Sequence, residues 1–181
     1  LCSVMIAAVR RLHSGMAPIG DRLMTSLLML IQNSGKQPTV LEDAFVAVGT
    51  VIVALEADFE KYLDAFLPFL VEGLRNHEEH QLCTISVGIV GDVCRSLNEK
   101  VLKYSETLLT ALFEDLQSPV LHRNVKPHIL SCFGDMAMAI GPAFETYLPS
   151  AMTVLQQASM VQNAPDTADY EMVEYVNDLR E

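Results

Sequence analysis

The sequence predicts an all-α protein, a solenoid of stacked two-helix repeats, and three observations carry that prediction. Apolar residues recur at spacings of three and four, and no stretch alternates long enough for a sheet. In YLDAFLPFLVEGL they fall at Leu63, Phe66, Leu67, Leu70, Val71 and Leu74, one face of an amphipathic helix. Breaks between such blocks come at regular intervals. The chain also repeats itself: VGTVIVALEADFEKYL, VGDVCRSLNEKVLKYS and FGDMAMAIGPAFETYL align. Gly49, Gly91 and Gly134 correspond, as do Leu55, Leu97 and Ile140; Phe59, Val101 and Phe144; and Tyr62, Tyr104 and Tyr147. All four columns keep offsets of 42 and then 43 residues. A period near 42 with two helices per unit is that of HEAT or armadillo repeats.

The elements follow in order. Helical blocks are expected at about 1–13, 19–33, 39–56, 60–76, 78–97, 101–117, 119–141, 144–161 and 167–181. They form one array over residues 1–181 of about four A/B helix pairs. Residues 1–17 are helix B of a preceding unit, followed by units 18–57, 58–98, 99–142 and 143–181. The longer breaks are NSGKQP, from Asn33, and QNAPDT, from Gln162. Ser118–Pro119 reads as a helix start, a hydroxyl cap before a proline in the first turn. Pro68 lies inside a helix A and should bend it, which favours HEAT over armadillo. A glycine inside each helix B costs about 1 kcal/mol against alanine, so a close neighbour is expected there. No such pair covers its own apolar face, and stacking on the next pair buries it.

Composition narrows the function. The formal net charge is −11, from 23 acids against 12 bases. Phosphate neutralisation needs a basic surface, so the charge argues against nucleic acid as a partner and favours a basic protein segment. The longest apolar run, FVAVGTVIVAL, is too short to span a bilayer. Cys2, Cys83, Cys94 and Cys132 form no CxxC pair, and three of them sit in apolar helical stretches. They read as buried thiols of a reducing compartment. The opening LCSV and the helical ending EYVNDLRE read as cuts from something longer.

The stretch RNHEEHQLC, Arg75 to Cys83, is the chemistry-like cluster. The other histidines are His13, His122 and His128. A zincin places its ligands at i and i+4 in HExxH. His77 and His80 stand at i and i+3 across an expected A-to-B turn, so no metal is expected. No GxSxG, GxGxxG or P-loop pattern occurs. The reading is a non-enzyme without cofactor, with a hydrolase or metal enzyme on the His–Glu cluster as the rival from another class.

EDAFVAVGTVIVALEADFEKYLDAFLPFLVEGL, VGIVGDVCRSL, VLHRNVKPHILSCFGDMAMAIG and DYEMVEYVNDLRE resemble the importin-beta (karyopherin-beta) family of HEAT-repeat nuclear transport receptors. The resemblance runs the length of the chain, departs locally at NSGKQPT and QNAPDTA, and implies a middle-to-C-terminal stretch of a right-handed superhelix. It implies that inner B helices hold the basic importin-beta-binding segment of importin alpha and protein cargo, and that Ran binds in its GTP form. It also implies that FG-repeat nucleoporins fill apolar pockets between outer A helices, and that the receptor works in cytoplasm, nucleus and nuclear pore. A generic HEAT scaffold or adaptor is the alternative binding protein. For the basic partner, Glu42, Asp43, Glu78, Glu79, Asp92 and Asp135 lie on or near the starts of B helices and could form an acidic column. Asp92 and Asp135 follow the repeated glycines and could equally hold a contact between units. For the FG pockets the candidates are Phe66, Phe69, Leu70, Leu109, Phe113 and Met152, although most A-helix apolar residues must be core.

Overall fold

The computed structural model describes residues 2–12, 17–35, 37–161 and 170–179. Its helices are α1 (Cys2–Leu12), α2 (Ala17–Asn33), α3 (Pro38–Leu55), α4 (Glu60–Leu74), α5 (His80–Leu97), α6 (Leu102–Gln117), α7 (Val125–Ile140), α8 (Leu148–Ser159) and α9 (Tyr170–Asp178). There is no strand among the described residues. The fold is a HEAT-type α-solenoid.

Helices pair as the periodicity requires. A helices α2, α4 and α6 pack on B helices α3, α5 and α7. The B helices also pack on one another, α1 on α3, α3 on α5 and α5 on α7, far more broadly than α2, α4 and α6 do. A stack bends toward its tighter row, so the B helices lie on the inside of the curve. One continuous core runs through the pairs. Phe45 and Phe66 meet edge to face at 5.5 Å across two repeats, and Phe59, Leu63, Leu70, Leu74 and Leu108 are fully buried. Such side chains each contribute about 1.5–3 kcal/mol.

The aligned columns now have causes. Leu55, Leu97 and Ile140, with Phe59, Val101 and Phe144, are buried where helix B hands over to the next helix A. A fifth column sits between them. Glu56, Asn98 and Gly141 adopt φ of 49°, 49° and 53°. Each returns its N–H to the carbonyl four residues back: Ile52, Cys94 and Ala137. Each opens a short 3₁₀ elbow: Glu56–Phe59, Asn98–Val101 and Gly141–Thr146. Only the third uses glycine, the residue that takes this backbone without a Cβ penalty.

For Gly49 and Gly91 the close neighbour expected is an aspartate of the next repeat. A Cβ on Gly49 would lie 3.5 Å from Asp92 Oδ2, and one on Gly91 would lie 2.8 Å from Asp135 Oδ2. Gly134 has nothing within 4 Å.

The largest difference from the expected helix boundaries is at the start of α7. The block expected at 119–141 begins at Val125. Ser118 and Pro119 end α6 instead of starting α7: Ser118 is extended, at φ −69° and ψ 124°. A proline drives the residue before it out of the helical region, which ends α6, and residues 119–124 stay outside any helix, so Ser118 has none to cap. Residues 118–124 form turns, closed by Val125 N–H donating to His122 O at 3.1 Å. Helix α4 runs through Pro68, which is exposed. His13 and the QNAPDT break lie outside the described residues.

Candidate functional site

The inner face is built from the solvent-facing stripes of the B helices. On α3 the stripe is Asp43, Val46, Thr50 and Val53; on α5 it is Ile85, Gly88, Asp92 and Arg95; on α7 it is Ser131, Gly134 and Met138. Residues spaced three and four apart share a helix face. Between α1, α3 and α5 these stripes leave a groove of about 380 Å³, lined by Val9, Val46, Val53, Ile85, Gly88 and Asp92 among others. Its floor is apolar and small, and Met138 on α7 is 87% exposed.

The six candidate acids do not form one column. Glu42 and Asp43 lie in the first turns of α3, and Glu78 and Glu79 in the turn before α5. Asp43 and Glu78 are exposed, while Glu42 and Glu79 are half-buried. Asp92 is thirteen residues beyond Glu79, about 20 Å along the helix at 1.5 Å per residue. Asp92 and Asp135 are also engaged already. Arg95 donates from Nη2 to Asp92 Oδ1 at 2.8 Å and from Nη1 to Asp135 Oδ2. The guanidinium fork ties α5 to α7, which is the internal contact the sequence left open. Of the six, Asp43 and Glu78 are the exposed acids.

On the outer face, Phe66, Leu70 and Leu109 are fully buried. They cannot line a surface pocket, because the packing of helix A on helix B needs them as core. The other three stay reachable. Phe69 is half-buried and lines a groove of about 190 Å³ at the α2–α4 seam with Ile31, Leu41 and Glu72. Phe113 is half-buried, stacks on Phe133 at 4.7 Å, and lines a groove of about 200 Å³ with Leu130, Val154, Tyr175 and Leu179. Burial raises the Tyr175 phenol above its ordinary value, opposed by the charge of Arg123. Met152 is exposed on α8.

The His–Glu stretch joins repeats. Asp115 Oδ1 accepts from His77 Nε2 at 2.9 Å, and Ser118 Oγ lies 3.0 Å from His77 Nδ1. With the carboxylate accepting at Nε2, Nδ1 holds the lone pair and the serine hydroxyl donates to it. Asp115 is 1% exposed and its Oδ2 has no partner. Burial raises its pKa, and the His77 hydrogen bond opposes the rise. Ser118, His77 and Asp115 thus follow the order of a hydrolase triad. A working triad also needs N–H donors at the oxyanion. Pro119 has none, and Ser118 N–H already donates to Asp115 O at 3.0 Å. The chain of bonds is a clasp between repeats. His80 stacks on His122 of the next repeat at 4.5 Å. Among the described residues, no group of three or more His, Cys, Asp or Glu side chains is arranged to hold a metal. Cys83 donates its thiol to Leu74 O at 3.0 Å, and burial pushes its pKa up to about 12.

The family model described as "Importin subunit beta-1-like, TPR repeats" matches residues 1–181. The chain belongs to the importin beta family. It is 48% identical over 180 residues to importin subunit beta-1 of Schizosaccharomyces pombe, covering 99% of this chain and 21% of that relative. A crystal structure of importin beta in an ammonium sulfate condition superposes with a TM-score of 0.95 at 44% identity, over 99% of this chain and 21% of that one. Two Kap95 structures, a Kap95:Nup1 complex and one of Kap95p with RanGDP, superpose at TM-scores of 0.89 and 0.86, each at 29% identity over 98% of this chain and 20% of theirs. The chain thus spans about a fifth of the length of the importin beta proteins it matches. These homologues are nuclear import receptors, not enzymes.

Sequence reasoning missed a second set of contacts between these importin-beta repeats. Asp21 accepts from Lys61 Nζ at 2.8 Å and from Tyr62 O–H at 2.5 Å. Asp64 accepts from Lys103 Nζ at 3.0 Å, and Lys103 lies beside Tyr104. Lys100 pairs with Glu60 and Arg75 with Glu114. The signal was present: Lys-Tyr recurs at 61–62 and 103–104, and Asp21 and Asp64 stand 43 apart. All these pairs are largely exposed, so each is worth little in stability.

Proposed function

We propose that the chain is a segment of a nuclear import receptor. In this reading its inner face receives importin alpha and basic cargo segments, its outer face receives FG-repeat nucleoporins, and the whole receptor binds Ran-GTP and moves between cytoplasm and nucleus through the pore. The observation that carries the reading is the Phe113 groove: a mostly apolar slot of about 200 Å³ at the seam between the α6/α7 and α8/α9 pairs, lined from all four helices and the size of a few side chains. A buried phenylalanine gains about 1.5–3 kcal/mol, suited to weak contacts made many times over. The partners in the Kap95 structures, Nup1 and RanGDP, support the same assignment. The acidity of the chain and the unpaired Asp43 and Glu78 favour a basic ligand inside.

The test is binding of a phenylalanine-glycine repeat peptide, read by fluorescence anisotropy. Val154→Glu, which places a charge in the groove, should weaken it at least about tenfold. Asp43→Asn with Glu78→Gln should leave that peptide unaffected and weaken a basic importin-beta-binding peptide at low salt. Retention of none of the FG peptide, the basic peptide or Ran-GTP by the chain would sink the transport reading for this segment.

A further inference from the structure

Of the eight prolines, Pro119 alone follows a hydroxyl residue, so Ser118–Pro119 is the chain's single Ser/Thr–Pro step. It stands where α6 ends. Ser118 is extended, at φ −69° and ψ 124°, the conformation a following proline imposes and the one a kinase cleft can take in as a strand. Gln117, Pro119 and Val120 are exposed around it, Val120 at 70%. We propose that Ser118 is a phosphorylation site for a proline-directed serine kinase, and that the modification opens the clasp between the α4/α5 and α6/α7 repeats. The inference does not depend on the transport reading.

The chemistry is transfer of the γ-phosphoryl group of ATP. A P–O bond forms at Ser118 Oγ, the bond from the γ-phosphorus to the oxygen bridging it to the β-phosphate breaks, and ADP leaves. The hydroxyl proton passes to the kinase's base. Three consequences follow from the geometry. The hydrogen replaced by phosphorus is the one directed at His77 Nδ1, 3.0 Å from Oγ, so the clasp loses that donor. The phosphoryl group is too large for the gap and must turn the serine away from the ring. It also brings about −1.5 to −2 of charge at neutral pH next to the end of α6, where Asp115 is buried with Oδ2 unpartnered. With the donor to His77 lost and the serine turned away beside a second negative charge, the seam loosens where the start of α5 faces the end of α6.

The experiment treats the 181-residue chain with ATP and a proline-directed kinase, then reads peptide mass spectra and amide exchange. One phosphate is expected on Ser118 of the natural sequence, and none at that position in Ser118→Ala or Pro119→Ala. Exchange at the start of α5 and the end of α6 should quicken about tenfold on phosphorylation, with α2 and α3 unchanged. Ser118→Ala, which removes the donor without adding charge, should quicken exchange less. A peptide of residues 113–123 serves as the positive control. If that peptide is phosphorylated and the folded chain is not, the site is wrong. Phosphate on Ser118 with unchanged exchange would leave a modified serine but overturn the opening of the clasp.

Discussion

The seam between α4/α5 and α6/α7 is tied at every level, whereas at the seam between α6/α7 and α8/α9 the matching ties are missing among the described residues. Across the first run the His77–Asp115–Ser118 chain, the Arg95 fork on Asp135, the Lys103–Asp64 pair and the His80–His122 stack. Beneath them α5 packs broadly on α7, and Cys94 Sγ lies 3.8 Å from Met136 Sδ. One period further on, the matching positions carry other residues. Ala158 stands for Asp115, Met138 for Arg95 and Thr146 for Lys103. There α8 meets the preceding pair chiefly through the 3₁₀ elbow before it, and an apolar groove opens at Phe113 and Val154. The same backbone repeat therefore carries these side-chain ties at one seam and other residues at the matching positions of the next. A groove of about 200 Å³ lies at this second seam, as others lie between α1, α3 and α5 and at the α2–α4 seam.

The comparison can be broken most sharply at His77. His77→Ala leaves Asp115 buried without a partner and should cost about 3 kcal/mol, read as a lower urea midpoint. Adding Asp115→Asn should recover part of that loss, because the orphaned charge goes with it. An equal loss in the double variant would mean that packing, not charge, holds the seam.

A smaller effect with opposite signs is expected from one column of glycines. Gly91→Ala brings a Cβ to 2.8 Å from Asp135 Oδ2 and 3.1 Å from Arg95 Nη1, and should destabilise by about 1 kcal/mol as the fork shifts aside. Gly134→Ala meets nothing within 4 Å. It should stabilise by about 0.5–1 kcal/mol through helix propensity. Thermal melts of the two variants check the contrast, and melting shifts of the same sign would erase it.

The weakest effect is in the response to acid. The hydrogen bond from Lys103, then that from Tyr104, holds Asp64 below its ordinary value of 3.8. Its contribution is present above 3.8 and is lost as pH falls through the lower folded value. Burial holds Asp115 above 3.8, so its contribution is greatest below 3.8 and is lost as pH rises through the folded value. Asp64→Asn should therefore blunt the loss of stability on acidification, and Asp115→Asn should steepen it. Urea midpoints measured between neutral pH and pH 3 distinguish the two.

The columns that could be read in advance were those whose side chains are buried, because burial at a helix-to-helix junction demands apolar bulk at a fixed spacing. Leu97 and Val101 could hardly be otherwise. The face of a helix was legible too, but its edge was not. Phe66, Leu70 and Leu74 recur every four residues and belong to the core, while Phe69, three residues after Phe66, falls about 60° around the helix from it, at 100° per residue, and reaches the surface. Partners across seams were illegible for another reason: a carboxylate such as Asp135 looks the same in sequence whether it meets solvent or a guanidinium from the repeat before. Ser118–Pro119 failed because one dipeptide serves equally to cap a helix and to leave one, and only the end of α6 decides.

The elbows at Glu56, Asn98 and Gly141 carry a further consequence. Their backbone is nearly identical although their side chains are not, so the angle at which each helix A departs from the helix B before it is a property of the main chain. Pitch and stiffness are thereby separated in this array. The elbows set the rest shape of the spring, and the bonds across each seam set how hard it is to stretch. Change could soften or harden one coil without altering the length of the others.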